Sequence, residues 1–403
     1  MSKKTDRYVK KTRKFCAHNY TPIPVVLSGA NGVHVYDCDG KEYLDMMSCY
    51  SALPLGHGDG DILDAFFEQA EGRGLANCSR AFFTDRMAEF AEKLCEVCQM
   101  EVMLPMNTGA EAVETAIKIA RKWGYKKKGV ASGKAEIIVC DGNFHGRTTT
   151  IIGFSSEKQY RDGFGPFTPG FVSIPFGDRY ALKSAINENT VAFLAEPIQG
   201  EAGIIVPPDG FLKAARRTCT HNNVLFIADE IQTGLGRTGE VFACDHEGVT
   251  PDMYILGKAL GGGLMPVSAV VSTWGIMDVI KPGDHGSTFG GGPLASAVAT
   301  AYLKLMTRKR LADRAKSLGE YFMSRLRELN SPFVEEIRGK GLLIGIELKR
   351  EIGGARPFCE KLMEEGLLTK ETHDDVIRLA PPLIITKKEI NWALKRIKKV
   401  LMK

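Results

Sequence analysis

Through the middle of the chain, short and almost uninterrupted apolar runs alternate with stretches in which apolar residues return every three or four positions. Residues 137–140, 191–195, 224–228 and 253–256 are rich in Val, Ile, Leu and Phe, the pattern of strands buried on both faces. Residues 102–106 read the same way, and residues 111–125 have a helical period, with Val113, Ile117 and Ala120 on the face that Ala110 begins. Apolar strands separated by helices predict an α/β body, a mostly parallel central sheet covered by helices on both sides.

The pattern changes near Pro293. Residues 294–329 form a long helical pattern with breaks, followed by a strand at 342–348, a short helix at 358–365 and a strand at 376–379. Thr386-Lys-Lys-Glu389 is a capping box opening a last helix whose apolar stripe is Ile390, Leu394, Ile397 and Leu401. These elements predict a smaller α+β lobe. The expected division is an N-terminal segment at 1–50 that completes the small lobe, a large domain at 51–293 and a small domain at 294–403. No long Pro/Ser linker and no repeat interrupts it.

Composition narrows the classes. Of 403 residues 44% are hydrophobic and 25% charged, enough to build a large core. The 43 glycines cluster without a period, which excludes a collagen-like chain. A net charge of +5 is too small for this size to argue for nucleic acid. No apolar run is long enough for a membrane span. The start is basic (Lys3, Lys4, Arg7, Lys10, Lys11, Arg13, Lys14) without the apolar stretch of a secretory signal, and is expected to be a solvated lead-in. Ten scattered cysteines suggest reduced thiols in the cytosol.

Four polar residues, Arg147, Glu196, Asp229 and Lys258, fall at or just beyond the C-terminal ends of expected strands, the edge where open α/β sheets bind ligands. Lys258 stands between an apolar strand and Ala-Leu-Gly-Gly-Gly263, where partial desolvation frees an amine to attack a carbonyl and the glycines admit a bulky cofactor. No G-x-x-x-x-G-K-[ST] precedes it, which disfavours phosphoryl transfer. Asp229 emerges from an apolar wall, where a carboxylate is costly unless paired. A protonated pyridine nitrogen would pair with it, and an Asp–Lys couple on neighbouring strands is what pyridoxal phosphate (PLP) chemistry requires. In Asn107-Thr-Gly-Ala-Glu-Ala112 either Asn107 or Thr108 can cap a helix, and Gly109 leaves N–H groups free for a phosphate.

Other signals point elsewhere. Gly234-Leu-Gly-Arg-Thr-Gly239 matches the dinucleotide pattern after a strand, but five residues intervene and no long helix opens behind it. Cys95 and Cys98 share a helical stripe with Phe90, Ala91 and Leu94 and have no partner pair, so core packing is favoured over zinc or redox chemistry. None of the eight histidines has metal-ligand spacing, and Lys395-Arg-Ile-Lys-Lys reads as a solvated helix face. A binding protein that kept the fold and lost turnover would have lost Lys258 or Asp229; both are present.

Long motifs then carry a family resemblance: Met106-Asn-Thr-Gly-Ala-Glu-Ala, Asn143-Phe-His-Gly-Arg-Thr148, Glu196-Pro-Ile-Gln-Gly-Glu-Ala-Gly203, Ala228-Asp-Glu-Ile-Gln-Thr-Gly234, Leu256-Gly-Lys-Ala-Leu and His285-Gly-Ser-Thr288. From His18-Asn-Tyr-Thr-Pro-Ile-Pro-Val25 to Ile377-Arg-Leu-Ala-Pro-Pro-Leu383 the chain resembles the class III (ω-amino-acid) PLP-dependent aminotransferases of fold type I, and among them most closely the ornithine aminotransferases.

The resemblance implies a cytoplasmic homodimer that moves the δ-amino group of L-ornithine to 2-oxoglutarate. It implies that Lys258 bonds to the cofactor and shuttles a proton, and that Asp229 pairs with the pyridine nitrogen. Phe144 and Ile231 would cover the two ring faces and Gln232 would reach the ring hydroxyl. Thr108, Gly109 and Ala110 would hold the phosphate, with Ser287 and Thr288 reaching it from a second subunit. Tyr20 and Arg147 would take the α-amino and α-carboxylate ends of ornithine, with Tyr50 lining the pocket. Arg378 would bind the α-carboxylate of glutamate, and Glu201 would pair with Arg378 while ornithine is bound, because an unpaired buried Arg is costly. Acetylornithine aminotransferases share the cofactor residues, and lysine or 4-aminobutyrate transaminases stand further off. Tyr20 with Tyr50 favours free ornithine, whose α-amine needs a hydrogen-bonding partner. Gly292 and Phe289 depart from the Asn and Tyr common in the family, and His145 stands where some ornithine enzymes carry Trp.

Overall fold

The computed structural model describes residues 2–402 and contains three sheets. The largest has seven strands in the order Val102–Met106, Ser268–Ser272, Met253–Leu256, Leu225–Asp229, Thr190–Ala195, Glu136–Cys140 and Phe171–Ile174. All run parallel except Ser268–Ser272, which is antiparallel to both neighbours. The strand ending in Asp229 is the central one.

Period-two alternation explains why the strands read as continuous apolar runs. Ile137, Val139, Leu225, Ile227, Met253 and Ile255 pack with Val113, Ile117 and Ala120 of the helix Gly109–Trp123. Ile138, Cys140, Phe226, Ala228, Tyr254 and Leu256 face the other way, toward Phe211, Leu212 and Ala215 of the helix Phe211–His221. Full burial of each large side chain contributes about 1.5–3 kcal/mol, so both layers hold the sheet rigid beneath its C-terminal edge.

A second sheet joins Leu27–Asn31, His34–Asp37 and Glu42–Asp45 to the two-residue strand Leu367–Leu368, with Leu44 beside Leu367. A third, antiparallel sheet orders Val334–Lys340, Leu343–Leu348, Val376–Leu379 and Lys370–Thr372.

Several elements differ from the sequence expectation. The expected strand at 224–228 runs one residue further, so Asp229 belongs to the sheet and is not a loop residue. The long helical pattern is two helices, Pro293–Arg308 and Leu311–Arg327, broken where Arg310 turns left-handed at φ 48°. The basic lead-in is a helix, Lys3–Phe15, largely exposed, in which only Thr5 is buried. It is tethered by its polar end: Ser2 accepts from the Thr5 N–H at 3.0 Å, and the Thr5 hydroxyl donates to Asp39 at 2.8 Å. The edge strands Phe171–Ile174 and Val334–Lys340 have at most one fully buried position each and so form no continuous apolar run. Cys98 is buried at the end of the helix Asp85–Cys98, with Cys95 packed against the same core. Among the described residues no helix is long and apolar enough to cross a membrane.

Candidate active site

The sheet register sets Asp229 beside Ile255, so the strands that end in Asp229 and lead into Lys258 deliver both residues to one edge. They line a cavity of about 200 Å³ together with Gly109, Ala110, Phe144 and Glu196.

Asp229 is 4% exposed, a charge that the fold must compensate. One carboxylate oxygen accepts from the Ile231 N–H at 3.1 Å, and the other lies 2.6 Å from Nδ1 of buried His145. Burial works against a cationic imidazole, but the hydrogen bond and charge of Asp229, with a smaller push from Glu196, raise the His145 pKa. Asp229 is thus held by two hydrogen bonds at the cavity floor.

Lys258 opens a single 3₁₀ turn, Lys258–Gly261, at φ 41°, a conformation made possible by the extended Gly257 before it and by left-handed Gly262 after it. Burial lowers the pKa of its amine, against the opposing pull of Glu201.

The mouth of the helix Gly109–Trp123 faces the same cavity. Thr108 accepts from the Glu111 N–H at 3.3 Å, and the Glu111 carboxylate takes the N–H groups of Thr108 at 2.6 Å and Asn107 at 3.0 Å. The next two N–H groups, those of Gly109 and Ala110, have no partner within the helix and point to the positive end of its dipole. A Cβ on Gly109 would lie 2.9 Å from Ile231, so only glycine leaves this floor open. An anion cradle, a buried carboxylate and a desolvated amine around one cavity fit PLP, whose phosphate, ring nitrogen and aldehyde need those three partners.

A second cluster adjoins it. Arg378, 1% exposed, donates to Glu201 Oε1 at 2.7 Å and to the Thr372 hydroxyl at 2.8 Å. Thr372 donates onward to the Glu201 carbonyl at 2.7 Å, and Gln232 Nε2 donates to the same Glu201 Oε1 at 3.1 Å. Burial pushes the Glu201 carboxyl up, but Arg378 outweighs it and holds the pKa at about 2. The Tyr50 ring lies 5.4 Å from the Arg378 guanidinium. It is carried on Ser48–Ser51, where four consecutive non-glycine residues are left-handed (φ 41–75°), a conformation costing roughly 1–2 kcal/mol per residue. Glu196 ties the two clusters: its carboxylate accepts from the Phe144 N–H at 2.9 Å and the Gly200 N–H at 3.3 Å, and burial lifts its pKa to about 7.

Thus Lys258, Asp229, Gly109, Ala110, Phe144, Ile231 and Gln232 share the cavity, and Glu201, Arg378 and Tyr50 form its neighbour. The rest lie apart. Tyr20 is 67% exposed. Arg147 is also exposed and stacks 4.0 Å over Tyr160, a ring that the sequence reading did not single out. Ser287 and Thr288 line a different cavity with His285 and Met106, where Ser287 accepts from Asn107 Nδ2 at 2.9 Å. Thr372 and Tyr160 were missed because their contacts with Arg378, Glu201 and Arg147 are set by how the strands and loops fold, not by a local motif. Gly234–Gly239 is a succession of turns that opens no long helix, which removes the dinucleotide reading.

Residues 15–401 match the family model described as aminotransferase class-III. The chain is 57% identical over 398 residues to an ornithine aminotransferase of Brevibacillus brevis, covering 99% of this chain and 98% of that one. A structure of the ornithine aminotransferase from Toxoplasma gondii, with PLP at partial occupancy in its active site, superposes with TM-score 0.97 at 43% identity, covering 98% of this chain and 94% of that one. An acetylornithine aminotransferase from Elizabethkingia anophelis gives TM-score 0.90 at 49% identity, covering 99% of each chain.

Gly200 offers a direct check on how tightly the two clusters are packed. Its backbone has an ordinary φ, but a Cβ would fall 1.6 Å from Gln232 Oε1. Gly200→Ala should therefore lower stability by about 1–3 kcal/mol through overpacking and displace Gln232 from Glu201. The measurement is the urea midpoint; an unchanged value would show that the contact is soft.

Proposed function

This chain belongs to the class-III aminotransferases, and from that membership we propose that it moves the δ-amino group of L-ornithine to 2-oxoglutarate, giving glutamate 5-semialdehyde and L-glutamate. It is a PLP-dependent enzyme of the fold shared by its structural neighbours. The observation that carries the ornithine reading is the Arg378–Glu201 pair at 2.7 Å. One site must accept a terminal amine from one substrate and an α-amine from the other. A cation already neutralised by a movable carboxylate meets that requirement.

When bound, PLP supplies an electron sink for the carbon that loses its amino group. Every other task falls to side chains of the protein. Asp229, backed by His145, keeps a proton on the ring nitrogen. Thr108 and the N–H groups of Gly109 and Ala110 hold the phosphate, Phe144 and Ile231 enclose the ring, and Gln232 meets its hydroxyl. Lys258 would take the proton from the substrate carbon and deliver it to the former aldehyde carbon of the cofactor, a role suited to an amine whose pKa burial lowers. With ornithine, Arg147 and Tyr20 receive the α-carboxylate and α-amine while Glu201 keeps Arg378 occupied. With glutamate, the substrate α-carboxylate takes the place of Glu201 on Arg378.

Two finer points belong to the same reading. Ser287 and exposed Thr288 do not line the Lys258 cavity of their own chain and serve the phosphate of a partner in a homodimer. Ten free cysteines support a cytoplasmic location.

The purified protein should carry a yellow cofactor that borohydride fixes to Lys258, and it should convert ornithine with a kcat/KM at least about tenfold above that for N-acetylornithine. Lys258→Ala should lose turnover by several orders of magnitude, because cofactor bonding and proton transfer both disappear. A preference for N-acetylornithine would replace the ornithine reading with its nearest relative.

Removing the Glu201 carboxylate leaves Arg378 buried without its counter-charge, a loss of ~3–5 kcal/mol when one partner of a buried pair is deleted. Glu201→Ala should therefore let ornithine enter in the glutamate orientation and yield product from its α-amine, while the glutamate half-reaction is preserved or faster. Single-turnover kinetics with product analysis decides it; parental yields of glutamate semialdehyde alone would defeat the switch.

Dilution to monomers should weaken PLP retention if the phosphate needs a partner's Ser287 and Thr288. Light scattering alongside cofactor fluorescence reads both quantities, and a fully active monomer would contradict the shared site.

A further inference from the structure

Arg237 and Arg378 are the two largest side chains withdrawn almost wholly from solvent. Arg378 has a carboxylate. The hydrogen bonds of Arg237 go only to neutral oxygens: the carbonyl of Pro381 at 2.5 Å, the carbonyl of Leu342 at 3.1 Å and the hydroxyl of Ser48 at 3.1 Å. Burial brings its pKa down to about 10, and its Nε has no partner at all. A guanidinium kept in such surroundings is costly, and a hydrophobic side chain of similar volume would fill the space without that cost.

Its three acceptors lie at informative places. Ser48 is two residues before Tyr50 and begins the left-handed turn. Pro381 is three residues after Arg378. Leu342 opens the strand Leu343–Leu348, which pairs with the Arg378 strand, and the Leu342 N–H returns a bond to the Arg237 carbonyl at 3.1 Å. Ser48 in turn donates to the Ala380 carbonyl at 2.7 Å. One planar cation thus gathers the segment carrying Tyr50 and the segment carrying Arg378, and joins both to the turns that follow the Asp229 strand. A planar fork with several fixed donors can hold such an arrangement, and a lysine cannot reproduce it fully.

We propose that Arg237 is a positioning residue that sets Tyr50 and Arg378 relative to each other and to the cofactor cavity, and so determines which end of the amino acid is presented for reaction. The proposal rests on the transaminase reading above. It separates Arg237 from a residue that only holds the lobes together, because a mere fastener would affect cofactor retention and substrate recognition alike.

The test uses the PLP-loaded dimer and the variants Arg237→Met, Arg237→Lys and Ser48→Ala. Arg237→Met should keep the parental cofactor spectrum and its pH titration, which report on Lys258 and Asp229. It should weaken 2-oxoglutarate and glutamate binding by ~10-fold or more, with a smaller change in the limiting rate, and raise the fraction of ornithine reacting at its α-amine. Arg237→Lys should recover part of the loss. Ser48→Ala, which deletes one acceptor of Arg237 together with the donor to the Ala380 carbonyl, should move the same quantities in the same direction by ~3-fold. If Arg237→Met does not fold, the other two decide. The proposal is overturned if both leave glutamate binding and the α-to-δ ratio at parental values, or if cofactor retention falls in step with substrate binding. The parental enzyme is assayed first: absence of glutamate semialdehyde there would refute the ornithine reading, while the effect of Arg237 on glutamate binding would still be read.

Discussion

A carboxylate buried at the end of the central strand is the constraint around which this molecule is arranged. Asp229 closes a strand whose other four residues are apolar and buried, at the point where the sheet meets its cavity. A charge there has to be met by another group, and the chain supplies His145 from a loop 84 residues earlier, at 2.6 Å. The loop that brings His145 also brings Phe144 and Arg147, and it is anchored by the Glu196 carboxylate from the neighbouring strand. Compensation of one charge thus determines where the cavity wall stands.

The same economy of buried charge governs the neighbouring cluster. Arg378 lies on an inner strand of the small antiparallel sheet, far from the Asp229 strand in sequence, and it reaches Glu201 only because that sheet docks against the C-terminal edge of the large one. Docking at that distance leaves no room for side chains where backbones meet. Gly200 abuts Gln232, and a Cβ on Gly341 would lie 2.4 Å from the Thr238 backbone. Four left-handed residues at Ser48–Ser51 add conformational strain; the Ser48 N–H donates to Asp45, its hydroxyl donates to the Ala380 carbonyl and accepts from Arg237, and these bonds hold the turn in place. The Arg378–Glu201 cluster is therefore assembled across an interface between sheets, whereas Asp229 and Lys258 are delivered by neighbouring strands of a single sheet.

That difference explains what could be read from the chain alone. Strand runs such as 137–140 and 253–256 are visible because a strand covered on both faces must be apolar at every position. The capping boxes at Thr108 and Thr386 are visible because their bonds close within three residues. Lys258 and Asp229 stand out as polar residues at the ends of apolar runs, and parallel strand topology brings such ends to one edge. The helix Lys3–Phe15 and the edge strands Phe171–Ile174 and Val334–Lys340 are not visible, since the helix buries only Thr5 and the strands have at most one fully buried position.

By itself, then, the sequence determined the α/β sheet, its helix caps and the pair of residues at its reactive edge, all of which follow from local period and spacing. Only the tertiary structure decided that His145 faces Asp229, that Tyr160 supports Arg147 and that Arg237 gathers Ser48 and Pro381. It also decided that Tyr20 lies exposed, within electrostatic reach of Tyr50. The physical reason is range. These contacts join residues from separate elements, and their distances are set by how sheets dock and loops close, quantities to which no short stretch of sequence is sensitive.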